Sequence, residues 1–410
     1  MSQETSKYKL NWVIMVGVIF AVIYQGAAKS AVPVLGSLRQ VFPDASATTV
    51  QMLVTLPSLL SMLVSLISGV IVAYVLKKTL IQFGLACFLI GGIIPGFVHS
   101  LPALFFSAVL IGIGQGCLIC IASSLLAENF EGNARATAMG LRQAAASIGI
   151  LILTMAAGFL GQIAWYKAYY IYFFVLVIMV IVGFLLPKGK LDDKIVGSGQ
   201  GLAGLKDVFN PSLVYLSILM FFLAVFSSAF FTNLGMSIMD KGLGGPAQIG
   251  IATAWNQFAQ IIIGIIYLAL VKLFKKYMLV VSTFLVAVGL FVLVNGPNLS
   301  YYAIGGLLFG VGCGIQFIAT VHFVSETVES SKAAMALAVS MVATGLGVTV
   351  SPLIVNPITQ MFGEINGTNG LLVAGVAFAI MMVVELIREV FFNKNSKIGM
   401  PIKANTESVN

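Results

Sequence analysis

Residues 77–128 read KKTLIQFGLACFLIGGIIPGFVHSLPALFFSAVLIGIGQGCLICIASSLLAE, and residues 275–326 read KKYMLVVSTFLVAVGLFVLVNGPNLSYYAIGGLLFGVGCGIQFIATVHFVSE. Between its lysine pair and its closing glutamate each stretch runs 49 residues without Asp, Glu, Lys or Arg, and the second begins 198 residues after the first. At about 20 residues per bilayer crossing, each divides into two crossings. The same offset pairs Gly91 with Gly289, the Gly112-x-Gly114-x-Gly116 ladder with Gly310-x-Gly312-x-Gly314, and Glu128 with Glu326. Beyond the loop the register slips by two, so that Met139, Leu141 and Gly149 face Met335, Leu337 and Gly345. The chain is therefore a duplication of one unit in one orientation.

Working outward, the rest of the sequence has the same character: 59% of residues are hydrophobic, 9% are charged, and the mean hydropathy is +1.04. A soluble domain carries about a quarter charged residues. The spacing predicts crossings near 10–38, 47–76, 79–98, 101–127, 134–161, 167–187, 211–238, 246–271, 277–296, 299–325, 333–361 and 367–392. The expected fold is an all-α membrane protein of twelve transmembrane helices in two six-helix, pseudo-symmetric bundles. The expected boundaries are 1–187 for the first bundle, 188–210 for a cytoplasmic linker, 211–393 for the second bundle and 394–410 for a tail. The linker contains the Gly/Ser run from Gly197 to Gly201, and a short surface helix is expected at Leu202 to Phe209. The first apolar stretch, Leu10 to Leu38, is longer than the core of a cleavable signal, so it is expected to be retained.

Orientation follows from the basic residues. With the N-terminus inside, seventeen Lys/Arg fall on cytoplasmic segments and only Arg39, Lys167 and Lys241 outside. Both termini are therefore expected in the cytoplasm, with the chain in the cell membrane. The net charge of +8 then sits in loops facing an anionic leaflet and calls for no nucleic acid. Cys87, Cys117, Cys120 and Cys313 lie in apolar runs without metal-ligand spacing and read as small apolar residues. Neither a metal nor a cofactor is expected.

A charge in the hydrocarbon region costs at least about 2.5 kcal/mol, so each one inside a crossing needs a reason. Lys29 lies in the first crossing, after Tyr24 and Gln25 and before Pro33. Arg142 lies in the fifth, ahead of the small-residue run Ala144 to Ser147 that permits close helix contact. No Asp or Glu falls in the middle of a crossing, since Glu128, Glu326 and Glu385 all sit at ends. Two cations without an internal counter-ion point to an anionic cargo, expected to be a small organic carboxylate. Two plainer readings stand beside it: a lysine reaching for the outer interface, and an arginine bonding loop carbonyls near the inner face.

Among neutral polar residues, Asn256 and Gln260 share a helix face one turn apart, flanked by Trp255 and Phe258. They suit a cavity wall, or interhelical hydrogen bonding. The candidate substrate-binding set is Lys29, Arg142, Gln25, Tyr24, Asn256 and Gln260. His322, four residues before Glu326, is the candidate for proton coupling, though a histidine there also suits a bond at a helix end. The glycine ladders lie inside apolar crossings without a strand-to-helix context, so they read as packing and not as phosphate loops. No cluster of acids, histidines or nucleophile with base suggests an enzyme.

At this point the sequence resembles the major facilitator superfamily over nearly its whole length. Two six-crossing halves, basic loops after the second and eighth crossings, and a long central loop carry the likeness. The family's loop after the second helix reads Gly-x-x-x-Asp-Arg-x-Gly followed by two basic residues. Here Gly69 is followed by Ala73, Tyr74 and Leu76 at the Asp, Arg and Gly positions, and only Lys77 and Lys78 remain. In the fourth helix Gly112 stands where proton-coupled members carry arginine, ahead of Gln115 and Gly116. In the fifth, Leu153 and Thr154 replace the Gly-Pro pair of the drug antiporters. The resemblance implies a secondary transporter working by alternating access, with its site between the halves. It also implies that the first, fourth, seventh and tenth helices line the cavity while every third helix faces lipid. The expected partners are a small anionic solute and the bilayer, the expected state a monomer, and the alternative function efflux of amphipathic compounds.

Overall fold

With no water in the hydrocarbon region, each apolar run must satisfy its own backbone groups, and helix is the conformation that does so within one segment. The computed structural model describes residues 2–72, 74–130, 132–186, 210–274, 277–326 and 333–392. In chain order the helices are α1 (Ser2–Gln25), α2 (Leu35–Val41), α3 (Ala47–Ile71), α4 (Lys77–Phe97), α5 (Leu101–Asn129), α6 (Gly132–Ile163), α7 (Phe174–Leu185), α8 (Pro211–Asp240), α9 (Pro246–Phe274), α10 (Met278–Asn295), α11 (Leu299–Glu326), α12 (Ala333–Phe362) and α13 (Gly367–Ile387). Among the described residues twelve spans are long and apolar enough to cross a membrane. This is a multi-pass membrane protein. An even number of crossings puts both chain ends on one side, termed the terminal side; the other is the far side. The expected linker, apart from Asn210, and the expected tail lie outside the described residues. Asn210 caps α8 by accepting from the Leu213 amide at 2.8 Å.

The duplication is visible as repeated packing. Helix α4 lies on α5 as α10 lies on α11, α3 on α5 as α9 on α11, and α1 on α6 as α8 on α12. The glycine ladders explain the first two pairs. A side-chain carbon on Gly112 or Gly116 would meet Pro57 O at 2.8 Å or Ser61 O at 2.6 Å on α3, while one on Gly114 would meet Gly84 O at 2.5 Å on α4. In the second half a side-chain carbon on Gly310 would meet Asn256 O at 2.3 Å on α9, and one on Gly312 would meet Ser282 O at 2.7 Å on α10. Alternate glycines thus wedge one helix between two others. Each half has its own apolar core, with Phe88, Leu118 and Tyr172 in the first and Phe230, Phe309 and Phe378 in the second. Phe174, Val177, Val180 and Phe184 on α7, and Ile380 and Val384 on α13, are exposed on the outer surface. These are the sixth and twelfth crossings, where lipid contact is expected.

Two crossings differ from the uniform helices expected of them. The first does not run unbroken through 10–38: α1 ends at Gln25, a 3-10 turn covers Gly26–Lys29, and α2 begins at Leu35. Pro33 has no N–H to give and would press on the carbonyl four residues back, that of Lys29, so the α-helical ladder cannot pass it. Tighter bonds replace the ladder, with Ser30 N donating to Ala27 O at 2.9 Å and Val32 N to Lys29 O at 3.0 Å. The sixth crossing opens as a 3-10 helix, Trp165–Phe173, before α7. At the far side Lys241 donates to Val294 O at 2.7 Å and Gly296 O at 3.2 Å, holding the end of α10, and its burial lowers the pKa of its ammonium.

Candidate functional site

The break in the first crossing is held open by aromatic side chains of the sixth. The Tyr172 hydroxyl donates to Ala27 O at 2.6 Å and accepts from Ser30 Oγ at 3.1 Å, and the Tyr24 hydroxyl donates to Ile171 O. On its other side the turn rests on α6, where Gly26 stands so close to Gly149 that a side-chain carbon would lie 2.3 Å from Ile150 N. Tyr172 thus gives Ala27 O a second donor beside Ser30 N, and Tyr24 ties the first crossing to the 3-10 segment of the sixth. Lys29 ends this turn.

Its side chain projects into a cavity of about 320 Å³ between the halves, lined from the first half by Lys29, Gln143 and Ile150. Helices α8, α9, α11 and α12 complete the wall with Ser227, Ser228, Gln257, Gln260, Gln316 and Thr344 among others. The Lys29 ammonium lies 4.5 Å from the centre of the Phe231 ring, a cation–π contact across the two halves. Among the described residues it makes no ion pair and no hydrogen bond. The repeat offset that equates Lys29 with Ser227 places both on one cavity, as an axis between the halves requires.

The cavity occupies the middle of the bundle and its terminal-side half, because α11 contributes Phe309 to Thr320 and α12 contributes Thr344 and Val348. On the far side the halves are joined. Asn356 of α12 donates to Thr48 Oγ1 and Gln51 Oε1 of α3, each at 2.8 Å, and Gln51 donates to Asn233 Oδ1 of α8 at 3.0 Å. Arg39 of α2 donates to Ile365 O at 3.1 Å. Beside them Gly158 of α6 packs on Pro246 O and Gly250 of α9. A path through the protein is thus closed at one end by buried amides and guanidinium bonds.

Two related bundles around a cavity sealed on one side form the architecture of an alternating-access carrier, and the sequence matches the Major Facilitator Superfamily over residues 13–242 and again over 216–401. The chain belongs to that superfamily. It is a secondary transporter by family, a transporter class and not an enzyme class. Superfamily members among solved structures share its fold. The nucleoside transporter NupG aligns with a TM-score of 0.73 at 13% identity, over 91% of this chain and 99% of that one. The peptide transporter POT in complex with sulfate aligns with a TM-score of 0.69 at 11% identity, over 91% and 93%. At such identities the likeness is one of fold. No curated protein matches the chain in sequence.

Of the residues singled out from sequence, the structure brings Lys29 and Gln260 to the cavity. Asn256 is fully buried one turn from Gln260, accepts from it at 3.0 Å, and packs under Gly310 and not on the cavity wall. Tyr24 turns into the core of its own half, against Phe88 and Tyr172. Gln25 ends α1 with a buried, unpartnered Oε1. Arg142 is half-buried and away from the lining, while its neighbour Gln143 is on it. His322 lies on α11 toward the terminal side. Ser228 and Thr344 line the cavity without having stood out in the sequence; only their place beside other polar residues of α8 and α12 could have flagged them.

Proposed function

We propose that this superfamily member carries a small organic anion, a carboxylate, and that Lys29 is the group that binds it. The observation that carries the reading is the Lys29 ammonium on the central cavity with an aromatic ring beside it and no carboxylate paired to it among the described residues. A buried cation is costly unless paired, and a carboxylate solute pairs it only while bound. Binding energy at this point is available to the cargo and not to the protein's own folding. A broken helix beside a site near the membrane centre is also a recurrent feature of secondary transporters, where freed backbone groups face the solute. Arg142 and His322 are kept as candidates for a second anion contact and for proton coupling.

The distribution of Lys and Arg supports a cytoplasmic terminal side, and the cell membrane is the membrane proposed for the chain. The cavity on the terminal-side half then corresponds to a carrier closed to the outside. One chain contains both halves and the cavity, which supports a monomer as the working unit.

The test is uptake into proteoliposomes of labelled mono- and dicarboxylates, neutral sugars and cationic dyes by the parent, Lys29→Ala and Arg142→Ala. Carboxylate uptake that Lys29→Ala reduces about a hundredfold is the expected result, close to the effect of removing a charged hydrogen-bond partner. Parental transport of a neutral solute by Lys29→Ala, with no acid carried, would overturn it; transport of the dyes would favour the efflux alternative.

A further inference from the structure

The cavity wall contributed by the second half is amide-rich, and two of its amides are incomplete. Gln257 on α9 is 3% exposed and its Oε1 has no hydrogen-bond partner. Gln316 on α11 is 6% exposed and its Nε2 has none. Both side chains line the cavity, with Gln260 on the same wall. A buried polar atom left unpaired is costly enough that native structures almost always avoid it, so each orphan asks for a partner. Here one orphan is an acceptor and the other a donor. They belong to different helices and do not bond each other; Asn256 Nδ2, off the wall, is unpartnered too, but the two wall amides are placed where something that enters the cavity can meet them.

That something must also satisfy Lys29 on the opposite wall. An inorganic anion or a bare carboxylate can accept from the ammonium and from Gln316 Nε2, but it has no donor to give to Gln257 Oε1. From this geometry we infer that Gln257 and Gln316 are specificity-determining residues that read a neutral, hydrogen-bonding body on the cargo, so that the preferred solute is a hydroxylated or amide-bearing organic anion and not a plain alkyl carboxylate. The inference rests on the anion reading above. A site built to bond an OH or NH rejects analogues lacking it more strongly than an apolar pocket rejects a missing methylene, because its own polar groups are then stranded.

The experiment measures binding to the full-length purified chain by thermal stabilisation and competition. The probes are gluconate as a hydroxylated acid, N-acetylalanine as an amide-bearing acid, hexanoate as a plain acid, and sorbitol as a neutral polyol. At least one of the first two is expected to bind about tenfold or more tightly than hexanoate, a difference of about 1.4 kcal/mol. Gln257→Leu and Gln316→Leu are expected to shrink that preference to about threefold or less. Their melting temperature without ligand should equal or exceed the parent's, since each removes a stranded polar atom; a merely structural glutamine would lower it. Hexanoate binding as tightly as both polar acids, or a preference that survives both leucine variants, overturns the inference while loss of all acid binding in Lys29→Ala upholds the anion reading. Sorbitol binding as well as the acids, with Lys29→Ala unchanged, overturns the anion reading instead. Failure of every acid to bind overturns both.

Discussion

A side-chain carbon on Gly149 would stand 1.9 Å from Ile23 O, far inside contact distance, and the atoms it meets are backbone. Neither helix can yield locally, so Gly149→Ala is expected to cost at least the 1–3 kcal/mol typical of overpacking, roughly. Gly140, about two and a half turns earlier on α6, has open space around it, and Gly140→Ala should hold or gain stability because alanine is the better helix former. Thermal unfolding of the two purified variants separates them, and equal melting points would contradict the described crossing of α1 and α6. Lys29 makes the opposite kind of prediction. Its substitution by methionine should abolish anion uptake yet leave unfolding temperature unchanged or higher, because an unpaired buried cation contributes nothing that the apolar chain would not. A fall in stability would mark Lys29 as structural. Lys29 was legible in the sequence because a charge in an apolar run stands out whatever the helix phase. Tyr24 was not, since sequence does not show which side of the first crossing meets the sixth, where Tyr24 packs, and which meets the cavity, where Lys29 does. Asn256 and Gln260 share a face as their spacing requires, but a cavity wall has an edge, and sequence does not show on which side of it each residue falls.

At the scale of elements, crossings were legible wherever charges bound them, and most ends agree with expectation to within a few residues. The exceptions are where tertiary contacts complete the backbone. Pro33 announces a break, but not that Tyr172, 139 residues further on, bonds Ala27 O and packs against it. The closure on the far side is also invisible in sequence, because Thr48, Gln51, Asn233 and Asn356 come from three helices of both halves. They are nonetheless the elements that hold this state. Asn356→Ala removes two bonds between α12 and α3, each worth about 1 kcal/mol net, and so should shift the balance toward the oppositely opened state by about thirtyfold. Cys313 lines the cavity and serves as the reporter. A membrane-impermeant maleimide applied from the far side should label it faster in Asn356→Ala than in the parent, with Cys87, Cys117 and Cys120 replaced by serine. Equal labelling rates would remove these amides from the role of latch.

Over the whole molecule the duplication decides both shape and motion. Because α6 and α9 join the halves as α12 and α3 do, the two contacts are related by the same pseudo-symmetry, and each half can pivot on both together. The halves have separate cores, so rocking need not disturb either one. The far-side contacts, in contrast, must part once in every cycle if the cavity is to open there. A cleavable bifunctional thiol reagent across a Thr48→Cys/Asn356→Cys pair, in a chain whose native cysteines are serine, should therefore stop transport completely. The same treatment should spare binding of the solute from the terminal side, because Lys29 and the amides of the second half stay where they are. Reduction of the linker should restore transport to the rate of the untreated pair. Uptake that continues at full rate in quantitatively linked protein would mean that solute passes without the far side opening, and the rocking of two rigid halves would have to be abandoned as the transport step.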